Sequence, residues 1–104
     1  MQNDRTLRVL FYGNRFMFSK TFMIQNKFGL HARPSASFVQ TATRFRSEIK
    51  VEKDGQEADG KSILDLMTLA AAYGTVITIK ANGEDAQEAL RALGTLIDGR
   101  FGED

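Results

Sequence analysis

Gly29-Leu30-His31-Ala32-Arg33-Pro34-Ser35 contains the only histidine and the only proline of the chain, three residues apart. Proline has φ fixed near the helical value and no N–H to donate, so it suits the first turn of a helix. Ser35, Phe38, Val39, Ala42 and Phe45 follow at helical spacing. The pattern predicts a helix from about Ala32 to Arg44, with His31 at its start. The first N–H groups of a helix lack intrahelical partners and carry the positive end of its dipole, which makes that end an anion site. A neutral imidazole there can accept a phosphoryl group whose charge meets waiting donors. Arg33 offers a planar charged fork to phosphate oxygens. A lone histidine at a helix start is more often a cap or a partly packed ring, so the assignment depends on its company.

Upstream, residues 20–26 read as a strand with Phe22 and Ile24 inward, and Lys27-Phe28-Gly29 as a tight loop into the helix. Downstream, Ser47–Lys53 alternates Ile49 and Val51 with Glu48, Lys50 and Glu52, the pattern of a half-buried strand. Asp54-Gly55 signals a hairpin turn, and Gln56–Asp59 is the returning strand. Ser62 followed by Asp65 resembles a capping box opening a helix. Ile63, Leu64, Leu66, Met67, Leu69 and Ala70 carry that helix to a stop at Gly74, and its wide apolar circumference means either a deeply buried short helix or one with an exposed contact face. Thr75–Ala81 is a strand with Ile77 and Ile79 inward. Asn82-Gly83 then turns into a last helix, about Glu84–Ile97, with Ala86, Ala89, Leu90, Leu93 and Ile97 on its core face. Arg100–Asp104 reads as a short polar tail. The order β-α-β-β-α-β-α predicts an α+β domain: a two-layer open-faced β-sandwich whose four-stranded antiparallel sheet carries three helices on one face.

Residues 1–19 stand apart as an accessory extension to a domain spanning 20–104. Arg5, Arg8, Arg15 and Lys20 face one acid, Asp4, and the apolar residues follow no long period. Leu7, Val9 and Phe11 suit a short extra strand, and a flexible lead suits the stretch equally. Met17 is an alternative start that would make the first sixteen residues an artefact. Gly13-Asn14-Arg15 interrupts the apolar run that a signal peptide needs.

The 104 residues suffice for one domain with a sizeable core, and 42% hydrophobic with 26% charged residues is ordinary for a globular fold. A net charge of +1 gives no footprint for nucleic acid. The absence of cysteine excludes disulfides and thiolate metal sites, and a lone histidine excludes a multi-histidine one. No run approaches the ~20 apolar residues of a membrane span. A soluble, cytoplasmic protein without a cofactor or metal is expected.

With these residues in place, the stretch from about Thr21 to Phe101 resembles HPr, the small histidine phosphocarrier family of the bacterial phosphoenolpyruvate-dependent phosphotransferase system. The resemblance is carried by Gly29-Leu30-His31-Ala32-Arg33-Pro34, Gly60-Lys61-Ser62-Ile63 and Gly74-Thr75, at the family's separations. It implies that His31 receives phosphate on Nδ1 from phosphorylated Enzyme I and passes it to an enzyme IIA domain. Such a protein is a covalent intermediate rather than an enzyme. Arg33 would neutralise the phosphoryl group, and Leu30, Ala32, Leu64 and Met67 would dock partners. Ser62 matches a serine that a regulatory kinase phosphorylates in many Gram-positive members, although an N-cap role explains it fully. A carrier exposing its histidine to successive partners is most simply a monomer.

Phe28 departs from the small polar residue of the sugar-transport members, and Gln40, Thr43 and Asp65 replace their lysines. Asn26-Lys27-Phe28-Gly29 and Leu96-Ile97-Asp98-Gly99-Arg100-Phe101 look more like NPr, the nitrogen-branch relative that serves a regulatory IIA protein. A different class is a regulatory interaction module whose phosphorylation at His31 or Ser62 is read by partners without transport flux. A hydrolase fits poorly, because the one histidine lacks an evident Ser–Asp pairing.

Overall fold

The computed structural model describes residues 7–12 and 15–103. Along the chain lie β1 (Arg8–Tyr12), β2 (Arg15–Met23), α1 (Ala32–Ala42), β3 (Glu48–Lys53), β4 (Gln56–Asp59), α2 (Ile63–Thr68), β5 (Val76–Asn82) and α3 (Ala86–Asp98), followed by a 3-10 turn at Arg100–Gly102. The strands form one antiparallel sheet in the order β1-β2-β5-β3-β4. Alternation does what a period of two requires. Ile77 pairs with Phe22, Ile79 with Val51 and Ala81 with Ile49, so one face of the sheet is an apolar stripe of buried residues.

The helices cover that stripe. α1 buries Pro34, Ser35, Phe38 and Ala42, and α3 buries Ala86, Ala89, Leu90, Leu93 and Ile97. The other face keeps charges in water, where Lys80 on β5 reaches Glu52 on β3 at 2.8 Å and Glu57 on β4 at 3.0 Å. Those two hydrogen bonds, Glu52 first, hold the Lys80 ammonium above its usual pKa against the opposing effect of burial.

The two-layer α+β architecture is the expected one, with a fifth strand added. β2 begins at Arg15, and its first half pairs with β1 from Tyr12↔Arg15 to Arg8↔Ser19, while β5 pairs with it on the other side from Met17 onward. Of the two readings of the leading segment, the extra strand is the one observed for residues 8–12. Residues 1–6, 13, 14 and 104 lie outside the described residues.

Element ends differ from expectation most at α2. The helix stops at Thr68 instead of continuing to Gly74, because Leu69 and Ala70 close it with tight bonds to Leu66 and Met67 and Ala70 then turns left-handed at φ 50°. Lys53 Nζ donates to the freed Leu69 carbonyl at 2.9 Å. The capping box is half made. Ser62 Oγ accepts from the Asp65 N–H at 3.2 Å, but the Asp65 carboxylate accepts from the Asp59 N–H rather than from that of Ser62.

Candidate functional site

The loop between β2 and α1 is set by one glycine. Gly29 has φ +68°, and a Cβ there would lie 2.3 Å from the Ala71 carbonyl oxygen, so only glycine lets the loop approach the chain after α2. Its neighbour Leu30 then donates its N–H to that same carbonyl at 2.9 Å. Ser35, fully buried in the first turn of α1, donates Oγ–H to the Leu30 carbonyl. His31 is thereby fixed as the N-cap of α1, with extended backbone (φ −79°, ψ −170°) and no side-chain capping bond. Its imidazole is free for other work.

That ring stands between polar and apolar surroundings. Its side chain is 41% exposed, and Nε2 lies 3.1 and 3.3 Å from the two carboxylate oxygens of Glu103. The exposed Phe28 ring stands perpendicular to it at a centroid distance of 6.1 Å. Burial pushes the Glu103 carboxyl up, but hydrogen bonds from Asn26 and then His31, with the attraction of the Arg33 charge, outweigh it and hold the group below its usual pKa. An ionised carboxylate only accepts hydrogen bonds, so Nε2 carries the proton of the neutral ring and the lone pair sits on Nδ1. Among the described residues, Nδ1 has no hydrogen-bond partner.

The residues singled out by sequence separate into two groups. His31, Ala32 and Arg33 lie together at the start of α1, with Ala32 and Arg33 exposed. Leu64 and Met67 are exposed on α2, at 76% and 40%. Met67 lines a shallow depression of about 270 Å³ beside His31, together with Phe28, Leu30 and Ala70–Ala72. Leu30, expected on the docking patch, is instead a core residue at 4% exposure and supplies only the floor of that depression. Its backbone bond to Ala71 pulls it inward. Ser62 caps α2 as anticipated and is half-buried.

Three contributors escaped the sequence reading. Asn26, expected in the strand, is fully buried and donates Nδ2 to the Gly29 carbonyl at 2.8 Å and to Glu103 at 3.0 Å. Glu103 belonged to the supposed polar tail, which is in fact a built turn anchored by the buried Phe101. The aromatic residue within that tail was the available signal. Phe28, read only as a departure, is the ring that walls the site.

The family described as "PTS-HPr: PTS HPr component phosphorylation site" matches residues 18–98. Phosphocarrier protein HPr of Neisseria meningitidis serogroup B is 53% identical over 84% of this chain and 98% of its own length. The HPr-like protein Crh of Bacillus subtilis is 50% identical over 71% of this chain and 87% of its own. The crystal structure of HPr-C-His from Thermoanaerobacter tengcongensis superposes with a TM-score of 0.80 at 49% identity, covering 83% of this chain and 97% of that one. Among the described residues, no helix is long and apolar enough to cross a membrane. An imidazole with a free lone pair at an anion-attracting helix start, on this fold and with these relatives, places the chain in the HPr family, the phosphocarrier proteins of the phosphotransferase system.

Proposed function

We propose that His31 Nδ1 is the phosphoryl acceptor, receiving the group from phosphorylated Enzyme I and passing it to an enzyme IIA domain in the cytoplasm. The observation that carries this reading is the engagement of Nε2 by Glu103, which leaves the lone pair on Nδ1 beside the N-terminus of α1. In transfer, the Nδ1 lone pair bonds to phosphorus while the bond from phosphorus to the donor's leaving atom breaks, its electron pair staying with the donor. No proton has to leave Nδ1. Arg33 and the first N–H groups of α1 hold the phosphoryl oxygens. Leu64, Met67, Ala32 and the Phe28 ring form the docking patch, with Leu30 beneath it.

Phe28 and the replacement of sugar-branch lysines by Gln40, Thr43 and Asp65 favour a regulatory, nitrogen-branch IIA over a sugar permease component. A second reading, a regulatory module phosphorylated at Ser62, is favoured by the partial exposure of that residue and by the Crh relative. Incubation with Enzyme I and phosphoenolpyruvate, followed by intact mass, tests the first reading. One acid-labile phosphoryl group is expected, absent in His31→Ala; its absence from the wild-type protein with Enzyme I of either branch refutes the assignment.

A further inference from the structure

Glu103 reaches His31 only through two costly local arrangements. Arg100, Phe101 and Gly102 all have positive φ, at 58°, 55° and 75°. For the two non-glycine residues that conformation carries a steric cost. Phe101, 9% exposed, ties the turn to the core, and the Glu103 N–H closes it on the Arg100 carbonyl at 2.8 Å. On the other side, Asn26 directs Nδ2 to Gly29 and Glu103, and its buried Oδ1 has no partner among the described residues. An orphaned buried acceptor also costs stability. Both expenses deliver one carboxylate to one ring nitrogen.

We infer that Asn26 and Glu103 are a positioning pair that keeps a proton on Nε2 of His31 both before and after phosphorylation, an inference that rests on the phosphocarrier reading. Before transfer the pair leaves Nδ1 as the nucleophile. After transfer the ring bears phosphorus on Nδ1 and hydrogen on Nε2, and its formal positive charge faces the Glu103 carboxylate. When the next acceptor attacks phosphorus, the P–Nδ1 bond breaks and its electron pair returns to Nδ1. Because Nε2 still holds its proton, the ring leaves as neutral imidazole. Without that proton it would leave as an imidazolide anion, a much poorer leaving group. Glu103, held by Asn26, thus acts through the ring, as a carboxylate does when it accepts from the far nitrogen of a metal-bound histidine.

The charged groups facing the ring are Glu103 from the C-terminal turn and Arg33 from α1, with Lys27 held 5.3 Å from the centre of the Phe28 ring. Among the described residues lining the depression, α2 contributes Met67 and the segment after it Ala70–Ala72, none of them charged.

Glu103→Gln and Asn26→Asp in the full chain test the pair, with thermal unfolding as the check on folding. In the unphosphorylated protein, the ring ¹⁵N resonances of His31 should report one tautomer, protonated on Nε2, for wild type and a mixture for both variants. For phosphorylated Glu103→Gln, onward transfer should fall about tenfold, without a change in KM for the acceptor. The alkaline limit of its rate profile should also move to lower pH. A wild-type tautomer mixture, or an unshifted profile in folded Glu103→Gln, overturns the pair. If Asn26→Asp does not fold, Glu103→Gln alone decides. The tautomer measurement needs no phosphoryl donor, so failure of wild type to accept a phosphoryl group would refute the carrier assignment separately.

Discussion

The Leu30 N–H donates to the Ala71 carbonyl at 2.9 Å, and this bond joins the loop before α1 to the loop after α2. Two segments distant in the chain thereby become the floor and wall of one depression, with His31 at its rim. The bond is possible because Gly29 places no side chain against that carbonyl.

Gly29→Ala is therefore expected to be among the most damaging single changes near the site. Its Cβ would sit 2.3 Å from the Ala71 oxygen and 2.9 Å from the Ala72 Cα, at φ +68°. A loss of about 3 kcal/mol is expected from clash and backbone strain together. Gly55→Ala is the control, with φ +81° but nothing within 4 Å, so strain alone should cost about 1 kcal/mol. Urea unfolding of both variants checks the difference. Equal losses would show that the close approach is not what the glycine serves.

Ser62→Ala should lower stability by about 1 kcal/mol, the ordinary value of an N-cap hydroxyl, because Ser62 Oγ accepts the Asp65 N–H. Ser62→Asp retains an acceptor and should lose less. If alanine and aspartate at this position unfold alike, capping is not the serine's structural contribution.

Asp85 supplies a pH-dependent contact. The Ser47 hydroxyl, then the Arg46 N–H, hold its carboxyl below the usual range against the opposing effect of burial, with the Ser47 N–H adding to them. A carboxylate with a depressed folded pKa contributes stability above its unfolded value of 3.8, and that contribution is lost as pH falls through the lower folded value. Asp85→Ala should thus be less stable than wild type near neutral pH, with the gap shrinking towards about pH 2. Unfolding midpoints at the two pH values measure it. A gap of constant size would assign the effect to packing rather than charge.

Much of this architecture is legible in the sequence because periodicity reports burial directly. Ile49/Val51 and Ile77/Ile79 alternate as a one-sided sheet demands, and Phe38/Ala42 and Leu90/Leu93/Ile97 recur at helical spacing. His31 and Ser62 are legible from helix-start chemistry. Asn26, Glu103 and the burial of Leu30 are not, because each depends on a contact between segments distant in the chain. No local pattern in Arg100–Glu103 says that three left-handed residues will fold the tail back onto His31. The early end of α2 is hidden for the same reason, since Lys53, on β3, donates to the Leu69 carbonyl just past that end. β1 is one of two equal readings of its segment because Val9, Leu10 and Phe11 are all exposed, leaving no one-sided pattern to decide for the strand.

Leu64 and Leu66, two positions apart on α2, should separate docking from folding. Leu64 is 76% exposed, whereas Leu66 is fully buried. Leu66→Ala removes core contacts and is expected to cost about 3 kcal/mol. Leu64→Ala should change stability by no more than about 0.5 kcal/mol, since water already surrounds the side chain. If the exposed face of α2 meets the phosphoryl donor, Leu64→Ala should instead raise the donor's KM several-fold and leave kcat near wild type, the signature of lost uniform binding. Leu64→Asp should raise it further by placing a charge in an apolar contact. Steady-state transfer kinetics with Enzyme I measure this split. An unchanged KM in both Leu64 variants would remove α2 from the docking patch and confine recognition to His31, Phe28 and the start of α1.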